Sequence, residues 1–364
     1  MIAGRVASSY VQRQVKYVTP VPVSAATGLV SAVYHQIADE MRLVIPPALL
    51  HSPAPDLLAA YWMLTREPML PAGSVDRATK EAVAAAVSVA NICPYCVDMH
   101  SVGMYELSTE DDAEAVAGDR ISEIADSRLR GTAGWARVAH QSGAAAGPPV
   151  AMTPAAYAEL VGLLVGLHYV NRMVNVFLAG FLLPPGLAPR SRRRLKRGLS
   201  WVLRPMLRNA YRPGRSLDLL PPAPLPSGAE WAGGSPAIAE AVARCSAAFD
   251  AAGARSVPPP IRELVLDRLD RWQGQDFGPS TAWCEELVAG LPPPDRAIGR
   301  LALLAALASY QVDEEAVDEF RRHHPTDRTL VEVAAWASFA AASVIGSRQS
   351  PVGTDDQRIR AIGK

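Results

Sequence analysis

Cys93 and Cys96 bracket Pro94 and Tyr95 in the stretch NICPYCVDMH, and His100 follows four residues after the second thiol. A reactive dithiol, part of a zinc site and two buried thiols are the three chemistries open to such a pattern. Zinc needs four ligands, or three and an open position. Cys93, Cys96 and His100 supply three, but a second pair at short spacing is missing, so no metal site is expected. Cys245 and Cys284 stand alone in helix-like surroundings and read as core packing. Inert thiols are disfavoured at Cys93 and Cys96, because Pro94 belongs in the first turn of a helix, with Cys93 at the N-cap. Free backbone N–H groups and the helix dipole favour a thiolate there. His100 lies one turn beyond Cys96 on the same face, placed to exchange a proton with its sulfur.

Glu81 lies twelve residues before Cys93, on an otherwise apolar stretch. One straight helix would hold the two roughly 18 Å apart. A break near Asn91 lets Glu81 fold back, and a buried carboxylate needs a partner. His100 is the obvious one. The relay so predicted runs Glu81, His100, Cys96.

The elements that must position these groups are helical. Val30, Val33, Ile37 and Met41 recur at helical spacing, and Ala78 to Ala90 is apolar nearly all round, as in a helix buried on every side. Ser52-Pro53 reads as an N-cap and first turn, and Thr153-Pro154 opens a long helix that Pro184-Pro185 stops after Leu183. Strand signals are nearly absent, so the fold class is all-α. Within the long helix, Val161 to Leu183 is 23 mostly apolar residues, long enough to cross a membrane. His168, Asn171, Arg172 and Asn175 in its middle argue against a span. His168 and Arg172 either line a pocket or satisfy buried carbonyls, and the second is favoured. His35, His51, His140 and the His323-His324 pair read as surface or structural.

The second half repeats the first in weakened form. Asp76 to His100 aligns with Asp295 to Glu319, both opening Asp-Arg-Ala and continuing as an apolar helix. The long helix also recurs from Leu330. In this register Cys93 faces Val312, Cys96 faces Glu315, His100 faces Glu319 and Glu81 faces Arg300. Polar positions change together while the apolar frame stays, which marks one active half and one structural half. The expected division is 1–185, carrying the thiols; 186–234, a Pro-, Gly- and Arg-rich linker; and 235–364, the degenerate repeat. From Arg190 to Arg215 there are ten Lys or Arg and no acid, on a pattern that suits a basic amphipathic helix kinked at Pro205. Docking of its Leu face on a domain is the favoured reading.

Across 364 residues, 49% hydrophobic, 36 Lys and Arg balance 36 Asp and Glu, so nothing global attracts nucleic acid or anionic lipid. With four cysteines and no signal-peptide plan near the start, a reducing cytoplasm is expected.

Glu81, then Cys-X-X-Cys twelve residues on, then His100 four residues after Cys96, resembles the motif of the AhpD-like alkylhydroperoxidases in the carboxymuconolactone decarboxylase superfamily. HYVNRMVN, His168 to Asn175, is similar to the Asn-Arg segment of the helix that closes such domains. The resemblance implies two AhpD-like helical repeats, the second without the cysteines, and a thiol peroxidase that uses no haem, flavin or metal. By the same analogy Cys96 is the peroxidatic thiolate, deprotonated through His100 and Glu81, and Cys93 resolves it as a disulfide. The implied partners are a hydroperoxide and a dithiol reductant, protein or lipoyl-type. A homo-oligomer with an internal quasi-dimer per chain is expected. Pro94 and Tyr95 depart from the small or imidazole side chains of the best-known members, which bears on the reductant. Another reading on the same fold is a redox-sensing or partner-binding module without turnover.

Overall fold

Proline sets many of the helix starts. Pro46, Pro55, Pro94, Pro154, Pro189, Pro236, Pro259 and Pro293 each stand in a first turn, where the missing N–H costs nothing and the fixed φ suits a helix. The computed structural model describes residues 14–144, 147 and 152–350, and the regular elements among these are helices. The first repeat runs α1 (Gly28–Met41), α2 (Pro46–His51), α3 (Pro55–Met69), α4 (Arg77–Ala90), α5 (Pro94–Leu107), α6 (Glu110–Ala117), α7 (Ser127–Val138) and α8 (Pro154–Phe177). A basic helix, α9 (Pro189–Leu207), follows. The second repeat runs α10 (Pro236–Ser256), α11 (Pro259–Arg271), α12 (Ala282–Val288), α13 (Pro293–Leu307), α14 (Glu314–His323) and α15 (Asp327–Ser347). Among the described residues β-pairing is limited to two isolated bridges, Val15 with Leu178 and Pro71 with Tyr211.

Each repeat is built round one apolar helix. Buried from Thr79 to Ser88, α4 is wrapped by α5, α7 and α8; its counterpart α13 is wrapped by α11, α14 and α15. The two long helices α8 and α15 pack on each other, as do α3 and α10, so the repeats share one core. Both long helices have the length and hydropathy to cross a bilayer, and both are sheathed by protein, with 94% and 78% of their most apolar windows buried. Cys245 and Cys284 lie in this core, their thiols directed to the carbonyls of Ala60 and Arg300.

Three local expectations differ from what is found. Ser52 does not cap α3, which starts at Pro55; its hydroxyl instead accepts from the Val21 amide and donates to the Leu49 carbonyl. The long helix stops at Phe177 rather than Leu183, because the Phe177 carbonyl accepts from Lys16 N at 2.7 Å and Ala179 N turns to the Gln14 carbonyl. The basic helix forms as read, with Pro205 inside it, but docks by its cationic side. Leu195, Trp201 and Val202 are 39%, 68% and 62% exposed, while Lys196, Ser200 and Leu207 are buried. The acids facing it decide this. Arg192 pairs with Asp98, Lys196 with Glu114 at 2.7 Å, Arg197 with both oxygens of Glu110, and Arg204 and Arg208 with Glu106.

Candidate active site

The turn between α4 and α5 carries the thiols. The Asn91 amide closes α4 onto the Val87 carbonyl, and Ile92 takes a left-handed φ of 51°, unusual for a β-branched side chain. Cys93 then reaches back through its amide to the Ser88 carbonyl at 3.0 Å. Helix α8 clamps this turn. Asn91 Oδ1 accepts from Arg172 Nη1 at 2.8 Å and lies 3.0 Å from His168 Nδ1, while the Asn91 carbonyl accepts from Asn175 Nδ2 at 3.0 Å. The His-to-Asn segment of the long helix thus holds the turn that presents the thiols. Arg172 also satisfies the carbonyls of His168 and Ala306.

The reversal at Asn91 lets α4 and α5 run back on each other. Glu81 Oε2 and His100 Nδ1 meet at 2.7 Å. The other carboxylate oxygen accepts from Arg77 Nε at 2.8 Å, one turn earlier on α4. Burial works to raise the Glu81 carboxyl, but Arg77 and His100 outweigh it and hold it below the usual carboxylate range. Glu81 is therefore an anion at neutral pH, poised to orient His100. Space for this carboxylate comes from Gly103 on α5. A Cβ there would sit 2.8 Å from the Glu81 carboxyl carbon.

Cys93 occupies the N-cap of α5 and Cys96 its first turn, with both thiols free and only 1% and 5% exposed. The charge state differs from the sequence expectation. Burial, joined by the neighbouring Cys93 thiol, pushes Cys96 well above the ordinary thiol range, so it rests as a neutral thiol. The Cys93 side chain, at the N-cap, accepts no hydrogen bond from the helix start. Among the described residues His100 bonds to Glu81 and not to either thiol. Burial pushes the phenol of Tyr61, on α3, up, and a thiolate formed at Cys96 would push it further the same way. Tyr61 stacks on His51 at 4.6 Å, and His51 Nε2 reaches the Tyr169 hydroxyl at 2.7 Å. Tyr95 is buried, with its hydroxyl on Gln14.

Sequence reasoning missed Arg77, Gly103 and Tyr61. Only Arg77 carried a readable signal, standing four residues before Glu81 on the same helix.

The second repeat keeps the frame and exchanges the charges. Arg300 Nη1 meets Glu319 Oε2 at 2.9 Å, again nineteen residues apart and at the positions of Glu81 and His100. Arg296, aligned with Arg77, lies 3.8 Å from the Glu319 carboxylate. In the sequence register Val312 and Glu315 align with the thiols, while the N-cap of α14 is Asp313, one residue after Val312.

Residues 55–146 match the model of a family described as the carboxymuconolactone decarboxylase family, a stretch that contains Glu81, both thiols and His100. Over 350 residues the chain is 37% identical to a protein of Mycobacterium tuberculosis named alkyl hydroperoxide reductase, covering 93% of this chain and 99% of that relative. The likeness therefore extends through both repeats.

Proposed function

The chain belongs to the carboxymuconolactone decarboxylase family, as an AhpD-like member with a degenerate second repeat, and from that premise we propose that it reduces hydroperoxides with the Cys93-Cys96 dithiol. The observation that carries this reading is the Glu81–His100 contact at 2.7 Å, on the helix face one turn beyond Cys96. His100, held by Glu81, serves as the base that takes the Cys96 proton when substrate arrives. The Cys96 sulfur attacks the outer oxygen of ROOH; the S–O bond forms, the O–O bond breaks, and ROH leaves with the proton returned by His100. Cys93 then attacks the Cys96 sulfenic acid, forming the disulfide and releasing water. A dithiol reductant, protein or lipoyl-type, exchanges with the disulfide and restores both thiols. The chemistry so written uses no haem, flavin or metal. It suits a reducing cytoplasm, and the internal pairing of repeats suits a homo-oligomer of few chains.

Burial of both thiols supports a second reading, a redox switch without turnover. Steady-state consumption of tert-butyl hydroperoxide with dithiothreitol as reductant separates the two. Sustained turnover that C96S abolishes is expected; a single stoichiometric oxidation with no steady state sinks the enzyme reading.

A further inference from the structure

A cavity of about 280 Å³ opens where the repeats meet, between the end of α4, the end of α7 and the residues around Trp272 and Leu307. Arg172 forms part of its wall and is 4% exposed. The guanidinium donates through Nε to the Ala306 carbonyl and through Nη1 to Asn91 Oδ1 and the His168 carbonyl, all neutral acceptors. Among the described residues Nη2 has no acceptor, and no carboxylate lies within ion-pair distance of Arg172. A buried cation without a counter-ion is costly.

Its neighbours deepen the imbalance. His140 is 8% exposed, lines the same cavity and leaves Nδ1 without a partner. Burial, then the charges of Arg172, Arg137 and Arg348, push its imidazole down to about 4, so it is a neutral donor or acceptor at pH 7. Arg137 is engaged on its outer side by Asp119. One carboxylate, Asp276, stands at the rim, already taken up by the Tyr310 hydroxyl and the Gly278 amide. Part of the remaining wall is apolar, with Ile92, which is 45% exposed, Leu307 and Trp272, and part is polar, with Gln141, Gln275 and Ser309.

We propose that this cavity binds a small organic carboxylate, its head on Arg172 Nη2 and His140 and its apolar part against Ile92, Leu307 and Trp272. A guanidinium edge matches a carboxylate in shape and charge. The apolar wall favours an alkyl or aryl group over a fully hydrated inorganic anion. The site does not rest on the peroxidase reading, although Asn91 and Ile92 join it directly to Cys93.

Calorimetric titration of the full chain with hexanoate tests this. Saturable 1:1 binding is expected, with hexanol silent at the same concentrations and inorganic phosphate at least about ten-fold weaker. R172Q weakens hexanoate by about ten-fold or more, the worth of one charge-assisted hydrogen bond. Because Arg172 also holds backbone carbonyls, A90L provides a second variant that fills the cavity without touching the guanidinium, and it too abolishes binding while melting like wild type. Absence of hexanoate binding, phosphate binding as tight as hexanoate, or unchanged affinity in A90L overturns the proposal.

Discussion

His100 on α5 meets Glu81 on α4 at 2.7 Å, and the second repeat answers with Arg300 on Glu319 at 2.9 Å, the same spacing with the anion moved to the other helix. A carboxylate-centred link between these two helices is common to both repeats, so its structural part is separable from its chemistry. In the first repeat the partner of the carboxylate is an imidazole beside a thiol helix start; in the second it is a guanidinium, which keeps its proton.

Removing the base function should slow the reaction without dissolving the site. E81Q and H100N are expected to lower kcat/KM for hydroperoxide by about 10²–10⁴. The Cys96 alkylation rate should still rise with pH, because burial sets the thiol high in either protein. Wild-type rates in both variants would remove Glu81 and His100 from the mechanism.

Gly103 is there to admit the Glu81 carboxylate. G103A places a Cβ 2.8 Å from its carboxyl carbon and must displace it from His100. An activity loss of about 10²-fold is expected for such a misplacement, with helical content retained. Full activity in G103A would show that the 2.7 Å contact is dispensable.

The counterpart pair should matter to stability alone. E319Q breaks a link whose side chains are 11% and 19% exposed. A cost of about 1 kcal/mol, seen as a fall in Tm of a few degrees, is expected, with peroxidase rate unchanged. A parallel loss of rate would make the second repeat part of the reaction.

Acid should weaken the fold before it protonates the carboxylates. Burial pushes His51 down to about 3 and His140 to about 4, from 6.5. Both are neutral when folded, so their stabilising effect is complete above pH 6.5 and is lost as pH falls towards those values. Each contributes about 1.4 kcal/mol per pH unit at most in that window. Unfolding free energies from denaturant titration should be flat from pH 8 to 7 and fall by a few kcal/mol by pH 5; a flat profile to pH 5 contradicts the buried neutral histidines.

Much of this site was legible because it depends on local rules. Pro94 placed the helix start, the twelve-residue step from Glu81 demanded a reversal, and the lone carboxylate on an apolar helix named His100 as its partner. The repeat register, read from Asp-Arg-Ala and an apolar run, brought Arg300 opposite Glu81 before any coordinates did. What escaped depends on tertiary surroundings. Burial overrode the helix-start expectation for Cys96, acids on α5 and α6 turned the basic helix cation-side in, and Gly103 acquires meaning only from the carboxylate packed against it.

The central claim is that Cys96 reacts with hydroperoxide and Cys93 resolves it. Peptide mass spectrometry after one equivalent of tert-butyl hydroperoxide tests it most directly. An intramolecular Cys93–Cys96 disulfide is predicted in wild type, a trapped Cys96 sulfenic acid in C93S, and neither species in C96S. Reduced Cys93 and Cys96 in wild type after the peroxide is consumed, or undiminished consumption in C96S, would contradict it.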